Sequence, residues 1–327
     1  MDTRPWNGDM RTRGKWADWR GRFATIILSH QQAQKFHRTT YVTDEFGKHV
    51  ITKVLKIKPD HIYTDIEGLT WSPFIRHPDE VWAWGKFHTY ERMAQDGNKH
   101  SVHLDDDFIL WRPINNHIRQ GSCFQSPEPI MGERKGAYLK YAWLIHRLIN
   151  VRGASRFLSQ LPQAWIDYAR LPLDQQIANC VSIAYVKNKD CLYDYAKSTL
   201  DVCHNFGSDV ADLIYEPHIV AKEFGLEKDY LKMCNDNNLQ QSYSNVVVNC
   251  YFEQWGLGAF MHKHNVKPYH IFKNEIEIRN KKGVGVHHVW GGATKMEYVK
   301  RILTRTKEMY PKHFPITPVT KDECLTN

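Results

Sequence analysis

Three consecutive carboxylates stand inside an otherwise apolar run, Val102-His103-Leu104-Asp105-Asp106-Asp107-Phe108-Ile109-Leu110-Trp111. Carboxylate oxygens converging on one point take a hard divalent cation such as Mg2+ or Mn2+, and an ion so held can bind a diphosphate in turn. A buried carboxylate without a partner is too costly to be kept for packing. On an extended chain, Asp105 and Asp107 point to one face and Asp106 to the other. The triplet also reads as a solvated acidic turn, the commoner fate of so short a motif.

Other residues able to do chemistry lie far along the chain. His287-His288 precede Gly291-Gly292 and Lys295, a composition suited to a loop that brings imidazole and backbone close to a ligand. Imidazole can complete the coordination of a metal bound by carboxylates, although a lone His pair is usually structural or superficial. Cys203-His204 would be a zinc fragment only with a second spaced pair, which the sequence lacks. Between residues 1 and 22, Arg11, Arg13, Trp16, Trp19, Arg20 and Arg22 interleave basic and aromatic side chains. Such an arm can grip phosphates and stack on bases, or fold its rings back on the domain.

The elements that must position these residues are legible in outline. The run 102–111 reads as a buried strand that stops at its charged end. Phe23–His30 reads as a first strand, and Val50–Ile57 as another. His61–Asp65 reads as a short strand ending in Asp65. In an open parallel sheet, ligands sit beyond the carboxyl ends of strands; Asp65 can meet a nucleotide there, or cap the next turn. Trp82–Tyr90 begins an amphipathic helix. This alternation argues for βαβ units. From about 130 to 205 the pattern is mainly helical, with a partly buried helix at Tyr138–Val151, a strand within Ile177–Val186 and a helix at Lys189–Val202. A further helix at Val246–His264 carries Glu253. The last helix, Met296 to Tyr310, sets Lys300, Arg301, Arg305 and Lys307 on its polar side, by default a solvated face. With neither repeats nor a low-complexity linker, the expected organisation is an arm over 1–22 and a single domain over 23–327.

Composition bounds the rest. Of 327 residues, 42% are hydrophobic and 13% aromatic, enough for a large core, and the net charge of +8 favours an anionic partner. The seven Cys are scattered with no CxxC pair, as expected for reduced thiols in a cytoplasmic protein. The first residues lack the apolar core of a signal peptide, and no stretch of 18 apolar residues would span a membrane.

Several of these pieces, in this order, resemble the GT-A glycosyltransferases, nearest to an uncharacterised glycosyltransferase-like group related to capsular-polysaccharide transferases. They are Tyr63-Thr64-Asp65, Trp82 to Lys86, His103 to Phe108, Gln125 to Glu128, Phe252-Glu253-Gln254 and His288-Val289-Trp290-Gly291-Gly292. The resemblance implies an α/β fold of GT-A type: a Rossmann-like, mostly parallel central sheet flanked by helices, with a helical C-terminal part. It implies a Mn2+ or Mg2+ ion held by Asp105, Asp107 and His288, and a nucleotide-sugar donor, of UDP type, contacted by Asp65, Lys86, Asp105, Asp106 and Lys295. Asp107 and Glu253 would be the catalytic residues, Glu253 on the acceptor side as general base. Lys295 follows His288 at a spacing one residue longer than in the related transferases. Where the group has an Asn followed by Gly residues, this chain has Asn179-Cys180-Val181-Ser182, so its backbone approaches a sugar less closely there.

The implied activity is metal-dependent transfer of a sugar to a hydroxyl. The acceptor is either a hydroxymethylated base in duplex DNA, as in phage-type modification, or a cytoplasmic saccharide, as in capsule synthesis. Basic charge and the arm favour the first. A catalytically silent module that binds nucleotide sugar or nucleic acid is the alternative of another class, because fold alone does not establish activity.

Overall fold

A computed structural model describes residues 18–64, 66, 72–75, 83–96, 100–130, 138–239, 241, 251–274, 277, 285–289 and 296–316. The strands are β1 Thr40–Val42, β2 His61–Tyr63, β3 His103–Leu104, β4 Phe108–Leu110, β5 Ser122–Phe124, β6 Pro127–Pro129, β7 Ile177–Asn179, β8 Ile183–Tyr185, β9 Pro268–His270 and β10 Val286–His288. The helices are α1 Trp19–Gln34, α2 Glu45–His49, α3 Trp84–Gln95, α4 Asn115–Ile118, α5 Leu139–Leu148, α6 Ser155–Leu158, α7 Gln163–Ala169, α8 Lys189–Asn205, α9 Ser208–Tyr215, α10 Pro217–Glu223, α11 Glu227–Asp236, α12 Gly256–Lys263 and α13 Met296–Met309. The class is mixed α/β with small sheets. The expected Rossmann-like central sheet is not evident among the described residues, where strands are two or three residues long and pair in small groups. The chain divides into two compact units, one of residues 1–68, 103–119 and 275–327, the other of residues 69–102 and 120–274.

In the first unit, the expected strand Phe23–His30 lies inside helix α1. Asp18 caps this helix by accepting the Arg20 backbone N–H at 2.9 Å. Phe23, Ile26 and Ile27 pack with Tyr41, Val50, Leu55 and Ile57, while Ala24 and Leu28 pack with Ile109, Val289 and Ile302. A helix covered on several sides is apolar nearly all round and loses the 3.6-residue period that would mark it as helix. Its buried hydroxyls are satisfied: Thr25 Oγ1 donates within the helix to the Gly21 carbonyl at 2.8 Å, and Ser29 Oγ to the Phe108 carbonyl of β4 at 2.8 Å. Val50–Ile57 is likewise no strand. Residues Val50–Val54 make a π-helical turn closed by the Leu55 N–H on the Val50 carbonyl at 2.8 Å. The short strand at 61–63 is present and pairs in parallel with β1.

The Asp run is not one strand but two. The Phe108 N–H donates to the Asp105 carbonyl at 3.0 Å, closing a turn over the triplet between β3 and β4. Asp is at home in turns, where its side chain competes with ladder bonds. The period-two relation expected between Asp105 and Asp107 therefore does not apply. β4 pairs antiparallel with β10, setting Phe108 opposite His288.

In the second unit, α3, α5, α7, α8 and α12 enclose the larger core, with Phe87, Tyr90, Trp165, Tyr195, Tyr251 and Trp255 buried in it. The amphipathic helix at 84–95 and the helix at 189–205 form as their spacing predicts and pack on each other. Ile177–Val186 is two strands, not one: β7 pairs antiparallel with β6, and β8 antiparallel with β5, whose other edge takes β9 in parallel. Of the helix expected over 246–264, residues Tyr251–Trp255 are π-helical and continue into α12.

Candidate functional site

In the first unit, the β4–β10 pairing brings together two residues far apart in the chain. The His288 Nε2 lies 3.4 Å from the Asp107 Oδ1, with the His288 side chain 7% exposed and that of Asp107 25% exposed. The Val289 N–H also donates to the Asp107 carbonyl at 3.0 Å, so both main chain and side chain of Asp107 are tied to β10 and the residue after it. Asp105 Oδ1 lies 3.1 Å from Nε2 of His103, whose side chain is buried. Asp106 Oδ2 accepts from a guanidinium nitrogen of buried Arg22 at 3.2 Å, a bond that anchors the turn to α1. Beside the Asp107–His288 pair, His287 and Tyr298 stack with ring centroids 6.2 Å apart and share a short ring-nitrogen to hydroxyl hydrogen bond. Burial raises the Tyr298 phenol pKa, with the Asp107 charge adding to it and Arg301 opposing it.

Sequence reading did not assign His103, Tyr298 or the Arg22–Asp106 bond. His103 could have been found: it stands two residues before Asp105, on the same face if the chain is extended there. Arg22 and Tyr298 reach the site only through the packing of α1 and α13, for which no local pattern exists.

Among the described residues, no group of three or more His, Cys, Asp or Glu side chains forms a ready metal cage. Asp107 and His288 offer one carboxylate and one imidazole at a common point, and Asp105 stands in the same turn. A Mg2+-type ion keeps several waters and takes one or two carboxylates plus substrate phosphates, while imidazole suits later first-row metals better, so Asp107 and His288 are a partial donor set rather than a closed site. The Cys203-His204 fragment does not: Cys203 is fully buried, burial holds its thiol well above the usual range, and the thiolate is the ligand form.

Glu253 and Lys86 lie in the second unit and meet each other. The Lys86 Nζ is 3.0 Å from Glu253 Oε1, with side chains 6% and 1% exposed, and the Tyr90 hydroxyl donates to the same oxygen at 3.3 Å. The Tyr195 hydroxyl donates to the Glu253 carbonyl at 2.7 Å. This is a core network that fastens the π-helical turn to α3 and α8. Gln254 belongs to a neighbouring set, its Oε1 lying 2.7 Å from the Tyr138 hydroxyl, which donates to Glu128 Oε2 at 2.6 Å. Asp65, Lys295, residues 290–292 and residues 1–17 of the arm lie outside the described residues.

The chain is similar over residues 6–131 to a family described as "Family of unknown function (DUF6734)". That match covers less than half of the chain; it takes in the Asp triplet and Lys86 and stops short of Glu253 and His288. No curated protein and no solved structure matches.

Proposed function

We propose that the protein is a metal-dependent glycosyltransferase that moves a sugar from a nucleotide-sugar donor to a hydroxyl acceptor. The observation that supports this reading best is the convergence of His288 on Asp107 beside Asp105. Strand pairing alone brings an imidazole from late in the chain to an acidic turn in its first half. Asp107 and His288 would hold a Mn2+ or Mg2+ ion, with Asp105 as the third donor once it turns from His103. An ion held there neutralises charge growing on a leaving diphosphate. Arg22 fixes the turn through Asp106, which helps to hold Asp107 in place before any ligand arrives. The general-base role expected of Glu253 is not part of this proposal: its carboxylate is buried in the second unit against Lys86, and a base must reach the proton it abstracts.

The test is release of free nucleoside diphosphate from a panel of UDP-sugars with Mn2+, Mg2+ or EDTA, with saccharide and DNA acceptors offered in turn. The expected result is metal-dependent release, abolished by Asp107→Ala. A second reading, a module that binds nucleotide sugar without transfer, draws on the Asp105–His103 and Asp106–Arg22 contacts, which neutralise part of the acidic turn. Metal-dependent donor binding with no release from any donor would favour it.

A further inference from the structure

A second feature of the first unit lies away from the Asp turn. Three segments meet at its surface around Tyr310: the end of α1, the stretch after the 50–54 turn, and the chain leaving α13. Gln34 Nε2 donates to the Lys58 carbonyl at 2.9 Å, tying the first segment to the second. The buried His313 Nδ1 lies 2.5 Å from the Leu55 carbonyl, tying the third to the second. Gln32 Nε2 donates to the Tyr310 hydroxyl at 2.9 Å, and Lys35 Nζ sits 5.8 Å above the Tyr310 ring, tying the third to the first.

Each segment contributes exposed cations: Lys35, Lys56 and Lys58, Lys312, and Lys307 one helical turn before Tyr310. Lys56 has φ 53, a left-handed conformation that disfavours a β-carbon, between fully buried Leu55 and Ile57. Its outward position is thus set by the backbone. Two of these charges bear on His313: burial lowers its pKa most, the bond to the Leu55 carbonyl opposes that, and Lys312 and Lys56 lower it further. The neighbouring acid Asp60 is turned back onto the Thr39 N–H at 2.7 Å, and Glu308 is the exposed acid at the same helix end.

We infer that this five-lysine face binds the phosphate backbone of duplex nucleic acid. Ammonium groups carried by three segments that are tied to one another suit a regular row of phosphates, and such contacts need no base readout. A bilayer surface fits less well. Among the described residues, the large apolar side chains that this unit exposes are Trp111 and Met296, and neither lies on the three segments. The inference stands whether or not the Asp turn transfers a sugar.

The experiment is fluorescence anisotropy of a short labelled DNA duplex titrated with the full chain across a salt series. It compares wild type, the triple variant Lys35→Glu, Lys56→Glu, Lys312→Glu, and a control pair, Lys222→Glu with Lys228→Glu, on the second unit. Wild type should bind with affinity that falls linearly in log salt. In the triple variant that slope should shrink by about 2.7, three contacts at about 0.9 each, with affinity at least about 10-fold lower at low salt. The control pair should match wild type, and melting by circular dichroism should show all variants folded. Gln at the same three positions should give a smaller loss in the same direction. No binding by wild type, an unchanged slope in the triple variant, or loss of anionic-vesicle binding with duplex binding intact would each overturn the inference.

Discussion

At the scale of single residues, the Asp107–His288 contact is the part of the site that can be tested most directly. Partners that merely support a metal ligand are worth about 10- to 100-fold in affinity, so loss of a ligand should cost at least that. If Asp107 and His288 hold the proposed ion, Mn2+ should raise the melting temperature of wild type, and His288→Ala and Asp107→Asn should each remove that rise. Asp106→Asn should keep that rise, because an amide oxygen can still accept from Arg22 and hold the turn. Equal Mn2+ stabilisation in wild type and His288→Ala would rule out the ligand role. His103→Ala tests the other pairing: with Asp105 released from His103, this variant should keep the Mn2+ effect that Asp107→Asn removes.

At the scale of elements, two junctions in the second unit carry predictions. The Lys86–Glu253 pair joins α3 to the π-helical turn in a dry place, where removing one partner takes a counter-charge from the other. Lys86→Met or Glu253→Gln should lower unfolding free energy by roughly 3–5 kcal/mol in denaturant titration, and the double variant should recover part of the loss. The same variants separate the two meanings of Glu253. A general base would lose turnover at unchanged stability, whereas a core pair loses stability first. The second junction is the crossing of α12 over β7. A β-carbon on Gly258 would stand 2.5 Å from the Ile177 backbone oxygen, which also accepts from the Tyr168 hydroxyl at 3.0 Å. Gly258→Ala should therefore cost about 1–3 kcal/mol by overpacking, measurable as a lower denaturation midpoint with unchanged slope.

At the scale of the whole molecule, both units hold histidines, buried or half-buried, whose surroundings favour the neutral form. Burial lowers the pKa of His30 in the first unit to about 4, and of His88 and His270 in the second to about 4 each. An unfolded imidazole titrates near 6.5, so protons bind the unfolded chain more tightly. The stabilising contribution is complete above about pH 6.5 and is lost as pH falls toward about 4. For His30 alone the loss is on the order of 3 kcal/mol. Melting temperature should fall steeply over that window, and His30→Phe, if folded, should flatten the curve. A flat profile in wild type would contradict the buried, neutral state.

What could be read from the chain, and what could not, follows a physical line. Helices 84–95, 189–205 and 296–309 were legible because each buries one face, and one-sided burial writes a 3.6-residue period into the sequence. Helix α1 was misread as a strand because it is enclosed by two apolar clusters and carries no period. The Asp triplet was legible as chemistry by its composition, but its geometry was not: whether three carboxylates extend or turn depends on the bond from Phe108 N–H to the Asp105 carbonyl. The sequence by itself determined the mixed α/β class, the acidic triplet, the late His pair and the basic last helix, all local facts of residue type and spacing. Only the tertiary structure decided that His288 meets Asp107, that Arg22 holds Asp106, that Glu253 faces Lys86, and that three lysine-bearing segments are tied together around Tyr310. Those are contacts between residues tens to hundreds of positions apart, and they are set by which apolar faces find each other, something no local pattern records.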